Sequence, residues 1–143
     1  MTEIAFHFNA PDKLAYACRA ARKLLRQDRR LVVLAPDTLM DALDETLWHM
    51  APQDFVAHCR ADAEAHVLEA SPIVLAQGLQ DAPHHEVLLN LSDEVPQGFG
   101  SFERLIEVVG CDEADRAAAR VRWKHYMQRG YALVRHDLAP QGA

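Results

Sequence analysis

The sequence predicts an α/β fold, a three-layer sandwich with a mainly parallel central sheet and helices on both faces. Three observations point there. Short apolar runs recur at Leu31-Val32-Val33-Leu34-Ala35, Ile73-Val74-Leu75-Ala76 and Val87-Leu88-Leu89-Asn90-Leu91. They are too short for helices and suit strands buried on both sides. Stretches of helical periodicity lie between such runs. The composition of the 143 residues, 50% apolar and 25% charged, fits one globular domain and argues against disorder, collagen or a coiled coil.

The elements follow in order. Glu3 to Asn9 alternates Ile4, Phe6 and Phe8 with Ala5 and His7, a strand pattern. Asn9-Ala10-Pro11-Asp12 supplies a cap and a first-turn proline. Leu14, Ala17, Cys18, Ala21, Leu24 and Leu25 then mark one buried face of a helix ending near Arg29. Pro36-Asp37-Thr38 opens a second helix that carries Leu39, Leu43 and Leu47 to Trp48. Phe55 to His58 reads as a short strand, Ser92 to Gly100 as loop, and Leu105 to Val109 as a strand interrupted by Glu107. Asp112-Glu113-Ala114-Asp115 starts the last long helix, with acids at its positive end, and Gly130 stops it. Tyr131 to Val134 is the final strand. Residues 1–138 are expected to form one domain and residues 139–143 a frayed tail.

Several chemistries are excluded or disfavoured. None of the six glycines precedes a lysine, so there is no phosphate-cradling P-loop, and GxGxxG is absent. The expectation is a Rossmann-like fold without a nucleotide site. The acidic run at 112–115 spells a helicase signature, but without a phosphate loop an acidic helix start accounts for it better. The eight histidines and three cysteines show no CxxC and no familiar ligand spacing, so no metal or cofactor is expected. Ser71, Ser92 and Ser101 sit in no nucleophile elbow, and no catalytic constellation stands out. No apolar run approaches membrane-spanning length, and Met1-Thr2-Glu3 opens no signal peptide. The reading is a cytoplasmic protein with no membrane partner.

The net charge of −6 hides an asymmetry. Arg116 to His136 holds six basic residues and no acid, leaving nine basic against twenty-one acidic residues elsewhere. Arg116, Arg120 and Lys124 are spaced i, i+4, i+8 and stack along one helical stripe, with Trp123 beside it. Tyr126 and Met127 continue an aromatic edge toward Gly130 and Tyr131, while Ala114, Ala117, Ala118 and Val121 are small enough to pack the opposite side onto the sheet. Such a stripe suits single-stranded nucleic acid, with phosphates on cations and a base on the ring. It suits equally an acidic peptide with a hydrophobic anchor. A core Trp123 with solubilising cations is the third reading. A second aromatic pair, Trp48 and Phe55, either caps the core at a sheet edge or forms an exposed patch for a partner.

Four stretches carry a family resemblance. They are Leu43 to Trp48 followed by Phe55 to His58; Leu88 to Ser92 with Pro96 and Phe99; Phe102-Glu103-Arg104 running into Glu107-Val108-Val109; and Asp115-Arg116, Arg120 to Tyr126 and Gly130-Tyr131. Together they resemble the chi subunit family of bacterial DNA polymerase III holoenzyme. The resemblance implies a non-catalytic accessory subunit of DNA replication. It pairs with the psi subunit of the clamp loader and binds the acidic C-terminal tail of single-stranded DNA-binding protein, which ends in Pro-Phe. Contact with DNA is then indirect. Arg116, Arg120, Trp123 and Lys124 fall on the family's tail-binding positions, with Gly130 and Tyr131 closing the same region. Phe55 falls on a psi-binding position, and Trp48, grouped with it, fits either the psi surface or the tail surface. Trp123 stands where the family commonly has tyrosine. Residues 60–80 carry no match.

Overall fold

The computed structural model describes residues 1–49, 57–80 and 82–139. Seven strands, β1 (Glu3–Ala10), β2 (Leu31–Leu34), β3 (His58–Arg60), β4 (Ile73–Ala76), β5 (Val87–Asn90), β6 (Arg104–Gly110) and β7 (Leu133–Asp137), form one sheet. Its order is β3-β4-β2-β5-β6-β1-β7. Every pairing is parallel, so the expected mainly parallel sheet is wholly so. The helices are α1 (Lys13–Arg26), α2 (Asp37–His49), α3 (Ala65–Ala70) and α4 (Glu113–Gln128).

The apolar runs are two-sided, as parallel strands under helices must be. Leu31, Val33, Leu75, Leu89, Ile106 and Val108 meet Ala17, Cys18 and Ala21 of α1 and Met40, Leu43 and Leu47 of α2 in one core layer. Val32, Leu34, Leu88, Leu105 and Val109 meet Ala119 and Tyr126 of α4 on the other face, together with Phe99 and Phe102 of the 92–103 loop. Burial among these apolar groups pushes the Cys18 thiol up to about 11, so it is a filler and not a nucleophile.

Boundaries moved where capping geometry decides them. Asp12 caps α1 by accepting from the Ala15 amide at 3.1 Å, so Pro11 precedes the helix. The helix ends at Arg26, and Asp28 takes a left-handed turn (φ 58°). Strand β3 begins at His58; Phe55 and Val56 of the expected strand lie outside the described residues. The short helix α3 was not legible, since it buries no residue and so shows no apolar face. Strand β7 starts two residues later than expected and runs on to Asp137. Residues 140–143 of the expected frayed tail lie outside the described residues.

Candidate functional site

Helix α4 is built at its start by acids. Asp112 accepts the Asp115 amide at 3.1 Å, and Asp115 accepts the Gly110 amide at 2.6 Å while pairing with Lys13 at 3.2 Å. At the other end Gly130 adopts φ 82°, the left-handed position glycine favours. The Gly130 amide donates to Met127 and the Tyr131 amide to Tyr126, which closes the helix in a Schellman turn. That turn sends the Tyr131 ring onto Phe99 at 5.2 Å. Gly130 and Tyr131 thus end the helix and pack its last turn.

The face of α4 that meets the sheet is not the expected row of small residues. Ala114, Ala117 and Val121 are exposed, Val121 at 69%. Ala119, Arg122 and Tyr126 are buried instead. Arg122, one of the six basic residues of the C-terminal segment, is 1% exposed and pairs through Nε with the wholly buried Glu107 of β6 at 3.1 Å. Tyr126 donates its hydroxyl to the same carboxylate, and Asn90 Nδ2 donates to it at 2.9 Å. Arg122 also reaches the Asp93 carbonyl at 3.1 Å. Burial pushes the Glu107 carboxyl above its usual range, and the Arg122 charge opposes it. The Tyr126 hydroxyl is likewise pushed up, by burial and then by Glu107.

With that face fixed, Trp123 lies half-buried at the flank of α4. Its ring meets Phe6 edge-on at 5.1 Å. Beside it opens a groove of about 510 Å³ between α4 and the end of the sheet. Phe6, Phe8 and Val109 form its floor; Ala119 and Trp123 form one wall, and Arg135 of β7 the other. Arg116, Arg120 and Asn9 stand at its mouth. Arg116 donates to Asn9 Oδ1 at 2.8 Å, and Arg120 pairs with Glu113. Asn9 in turn donates to Asp137 Oδ1 at 2.8 Å. That bond, with the Ala139 amide, holds the Asp137 carboxyl below its usual range. Asn9 sits at φ 64° where the β1 register slips between His7 and Ala10, an irregularity of the kind that re-aims a side chain. Lys124 does not line the groove. Each i+4 step on an α-helix drifts about 40° around the axis, so a stripe begun at Arg116 leaves the groove by its third member.

At the opposite edge of the sheet, Trp48 is 53% exposed at the end of α2, its ring 4.9 Å from His58 of β3. His58 and Arg60 both bond Asp44, at 2.7 and 2.8 Å, and Arg60 reaches Asp41 at 2.8 Å. Burial works against the Asp44 charge, but the Arg60 and His58 bonds prevail and hold its carboxyl below the usual range. Phe55 lies outside the described residues. Among the described residues no group of three or more His, Cys, Asp or Glu is placed to hold a metal, and no helix is long and apolar enough to cross a membrane.

A family model described as DNA polymerase III chi subunit, HolC, matches residues 1–134. The chain belongs to the DNA polymerase III chi subunit family. A relative named DNA polymerase III subunit chi from Pseudomonas aeruginosa is 32% identical over 127 residues, covering 88% of this chain and 87% of that protein. One of the same name from Haemophilus influenzae is 29% identical over 119 residues, covering 82% and 81%. Among solved structures, the C-terminal domain of the DEAD-box protein Dbp5 superposes with a TM-score of 0.62 at 12% identity, covering 96% of this chain and 90% of that one. That likeness is of fold alone.

In this chi-family chain the structure brings Arg116, Arg120 and Trp123 to one groove. The sequence reading missed Phe6, Phe8, Asn9, Val109, Ala119 and Arg135. Phe6 and Phe8 were read only as core alternation and Arg135 only as part of a charge count. The order that sets β1 and β7 beside α4 depends on pairings more than a hundred residues apart, which local patterns do not carry.

Proposed function

We propose that this replication accessory subunit is a non-catalytic adaptor that binds the acidic tail of single-stranded DNA-binding protein in the α4 groove and the psi subunit at the β3 edge. The groove carries the reading. It sets an aromatic floor under three arginines, a complement to a ligand that is both anionic and aromatic at its end. The second support is separation. Strands β3 and β7 close opposite edges of a seven-stranded sheet, about 29 Å apart at the usual strand spacing, so two partners bind without collision. A further support is the start of α1, where related folds hold phosphate. There the Asp12 carboxylate already takes the Ala15 amide, which disfavours an anion at that place.

The test is titration with a tail peptide. Arg116→Ala and Arg120→Ala are each expected to weaken binding, since a charge-assisted contact is worth about 1.5–3 kcal/mol once the ligand shields it from water. Lys124→Ala is expected to cost less, because Lys124 stands outside the groove. Added salt weakens all three interactions. Unchanged affinity in both arginine variants, with normal circular dichroism, sinks the assignment. Tighter binding of a single-stranded oligonucleotide than of peptide, abolished by the same substitutions, transfers the site to nucleic acid.

For psi, Trp48→Asp and Phe55→Ala are expected to weaken association while leaving peptide affinity intact. An interface aromatic commonly contributes about 2 kcal/mol or more. Analytical co-sedimentation with purified psi measures it. Wild-type association in both variants removes psi from this edge.

A further inference from the structure

The opposite face of the same sheet edge carries a second cationic surface. Helix α1 packs on the inner strands β2 and β6 and leaves the outermost strand β7 open on its side. There Val134 is 53% exposed, and His136 is exposed. The His136 ring meets the His7 ring at 4.7 Å, and His7 shares a hydrogen bond with the Tyr16 hydroxyl of α1. Successive strand residues point to opposite faces, so His136 looks away from the α4 groove that Arg135 lines. A groove of about 1070 Å³ opens on this side, with Ala5, Gln27, Arg104, Val134 and His136 in its lining. Glu3 and Glu103 are the carboxylates among its described lining residues, and Glu103 faces Arg29 at 3.8 Å.

Three cations meet at this face. Arg19 and Lys23 stand exposed one turn apart on α1, and Arg104 begins β6. Among the described residues none of the three has a carboxylate partner, whereas Lys13, Arg29, Arg60, Arg120 and Arg122 are each paired. Arg19 lies over the Tyr16 ring at 6.0 Å. The bridging side chains feel the positive field. Burial first, then the charges of His136, Arg104 and Lys23, hold the His7 imidazole down to about 4. Burial pushes the Tyr16 hydroxyl up, and Arg19 and Arg104 oppose it. No carboxylate offsets these charges at either group. Like charges gathered without a counter-charge cost free energy in the free protein, and an anion bound among them removes that cost. Arg19, Lys23 and Gln27 follow at i, i+4, i+8 along the flank of α1 and span about 12 Å, enough to meet more than one phosphate of a nucleic-acid strand.

We propose that this face beside α1 is a second binding surface, for the phosphate backbone of single-stranded DNA, with Arg19, Lys23 and Arg104 on the phosphates and the exposed His136 ring as a stacking surface for a base. Three observations favour a strand over an acidic peptide. Phe102, the one phenylalanine in the groove lining, is 2% exposed, so an anchor ring finds no aromatic seat there. The cations are spread along a helix flank and a strand start, the arrangement that tracks a backbone, and are not set around one pocket. The chain's family places it at DNA replication, where single strands are the abundant polyanion. The surface is independent of the α4 groove and lies on the other face of the sheet, so a protein tail and a strand are held at once and each raises the effective concentration of the other.

The experiment uses the full chain and a fluorescein-labelled oligo-dT of about 15 nucleotides, read by fluorescence anisotropy at low salt. Binding is expected to weaken about twenty-fold between about 50 and 200 mM salt, the loss set by three neutralised phosphates on a single strand. The triple variant Arg19→Ala, Lys23→Ala, Arg104→Ala is expected to lose about ten-fold or more in oligonucleotide affinity and most of the salt dependence, while tail-peptide affinity in the α4 groove holds within about two-fold. Lys23→Glu alone changes one exposed helix position and is expected to show a smaller loss in the same direction; it decides the matter if the triple variant does not fold. Loss of oligonucleotide binding in Arg116→Ala, Arg120→Ala, with the triple variant unchanged, moves the strand to the α4 groove and overturns the proposal. Competition by a Glu-rich peptide of equal charge, as strong as that by unlabelled oligo-dT, makes the face a general anion site and overturns it too. Absence of oligonucleotide binding by the unsubstituted protein at low salt overturns it outright and leaves the tail groove untouched.

Discussion

Arg122→Ala is expected to lower the unfolding free energy by about 3–5 kcal/mol, the range found when one partner of a buried ion pair is removed. The reason is the charge left behind. Glu107 is wholly buried, and without Arg122 it keeps, among the described residues, only the Tyr126 hydroxyl and the Asn90 amide as donors. Its carboxyl, already raised by burial, then rises further. A carboxyl whose folded pKa lies above its unfolded value favours the fold at low pH. That contribution is lost as pH rises through the folded value. The deficit of Arg122→Ala is therefore expected to be larger near about pH 8 than near about pH 5, as read by urea denaturation at both. A loss below about 1 kcal/mol at the higher pH would mean that water reaches Glu107 and that the pair is not sealed. A Glu107→Leu, Arg122→Leu double variant is expected to recover much of the stability, because well-packed apolar side chains often replace a buried pair without loss. Peptide affinity in that double variant separates two roles. Recovery of stability without recovery of binding assigns the pair to fixing the rotation of α4, and so the aim of Arg116 and Arg120.

What was legible in the sequence follows from how much each residue's environment is written locally. The inner strands β2, β4 and β5 lie between two helical layers, so every position is apolar and the run announces itself. The edge strand β7 has one strand neighbour and no such demand. Its Arg135, His136 and Asp137 are exposed, and the apolar reading stopped at Val134. Helix α4 shows a stronger failure. The sequence pattern assigns small residues to its packed face, but that face is the stripe Asp115, Ala119, Arg122, Tyr126 at i, i+4, i+7, i+11. Two of those four carry charge, and hydrophobic periodicity is blind to charges that pair inside. One signal was available. Glu107 stands in an otherwise buried strand, and a buried acid requires a cation or several donors. Arg122 and Tyr126, one turn apart on the last helix, meet that requirement. The groove was half legible for a related reason. The α4 residues of the site sit within eight positions of one another, whereas Phe6, Phe8 and Arg135 join them only through strand order.

Removing the terminal phenylalanine from a tail peptide is expected to weaken binding roughly ten- to over a hundred-fold, since burying a phenyl side chain is worth about 1.5–3 kcal/mol. The floor it would lose is specific. Phe6 is already packed edge-on against Trp123 and Tyr126, at 5.1 and 5.9 Å, so the ligand's ring enters as a fourth in an existing aromatic cluster. Trp123 is half-buried in the groove wall, and its fluorescence is expected to shift when the peptide seats beside it. Trp48 also emits, but it lies at the far edge of the sheet. Trp48→Phe is expected to keep most of the change, and Trp123→Phe to lose it while binding persists. An oligonucleotide ligand gives a different pattern: quenching of Trp123 by a stacked base, with no peptide terminus involved. Equal affinity for the full and truncated peptides would take the anchor out of the groove and leave charge alone to hold the tail. In that event salt would abolish binding, whereas an anchored peptide retains the part of its affinity that comes from the buried ring.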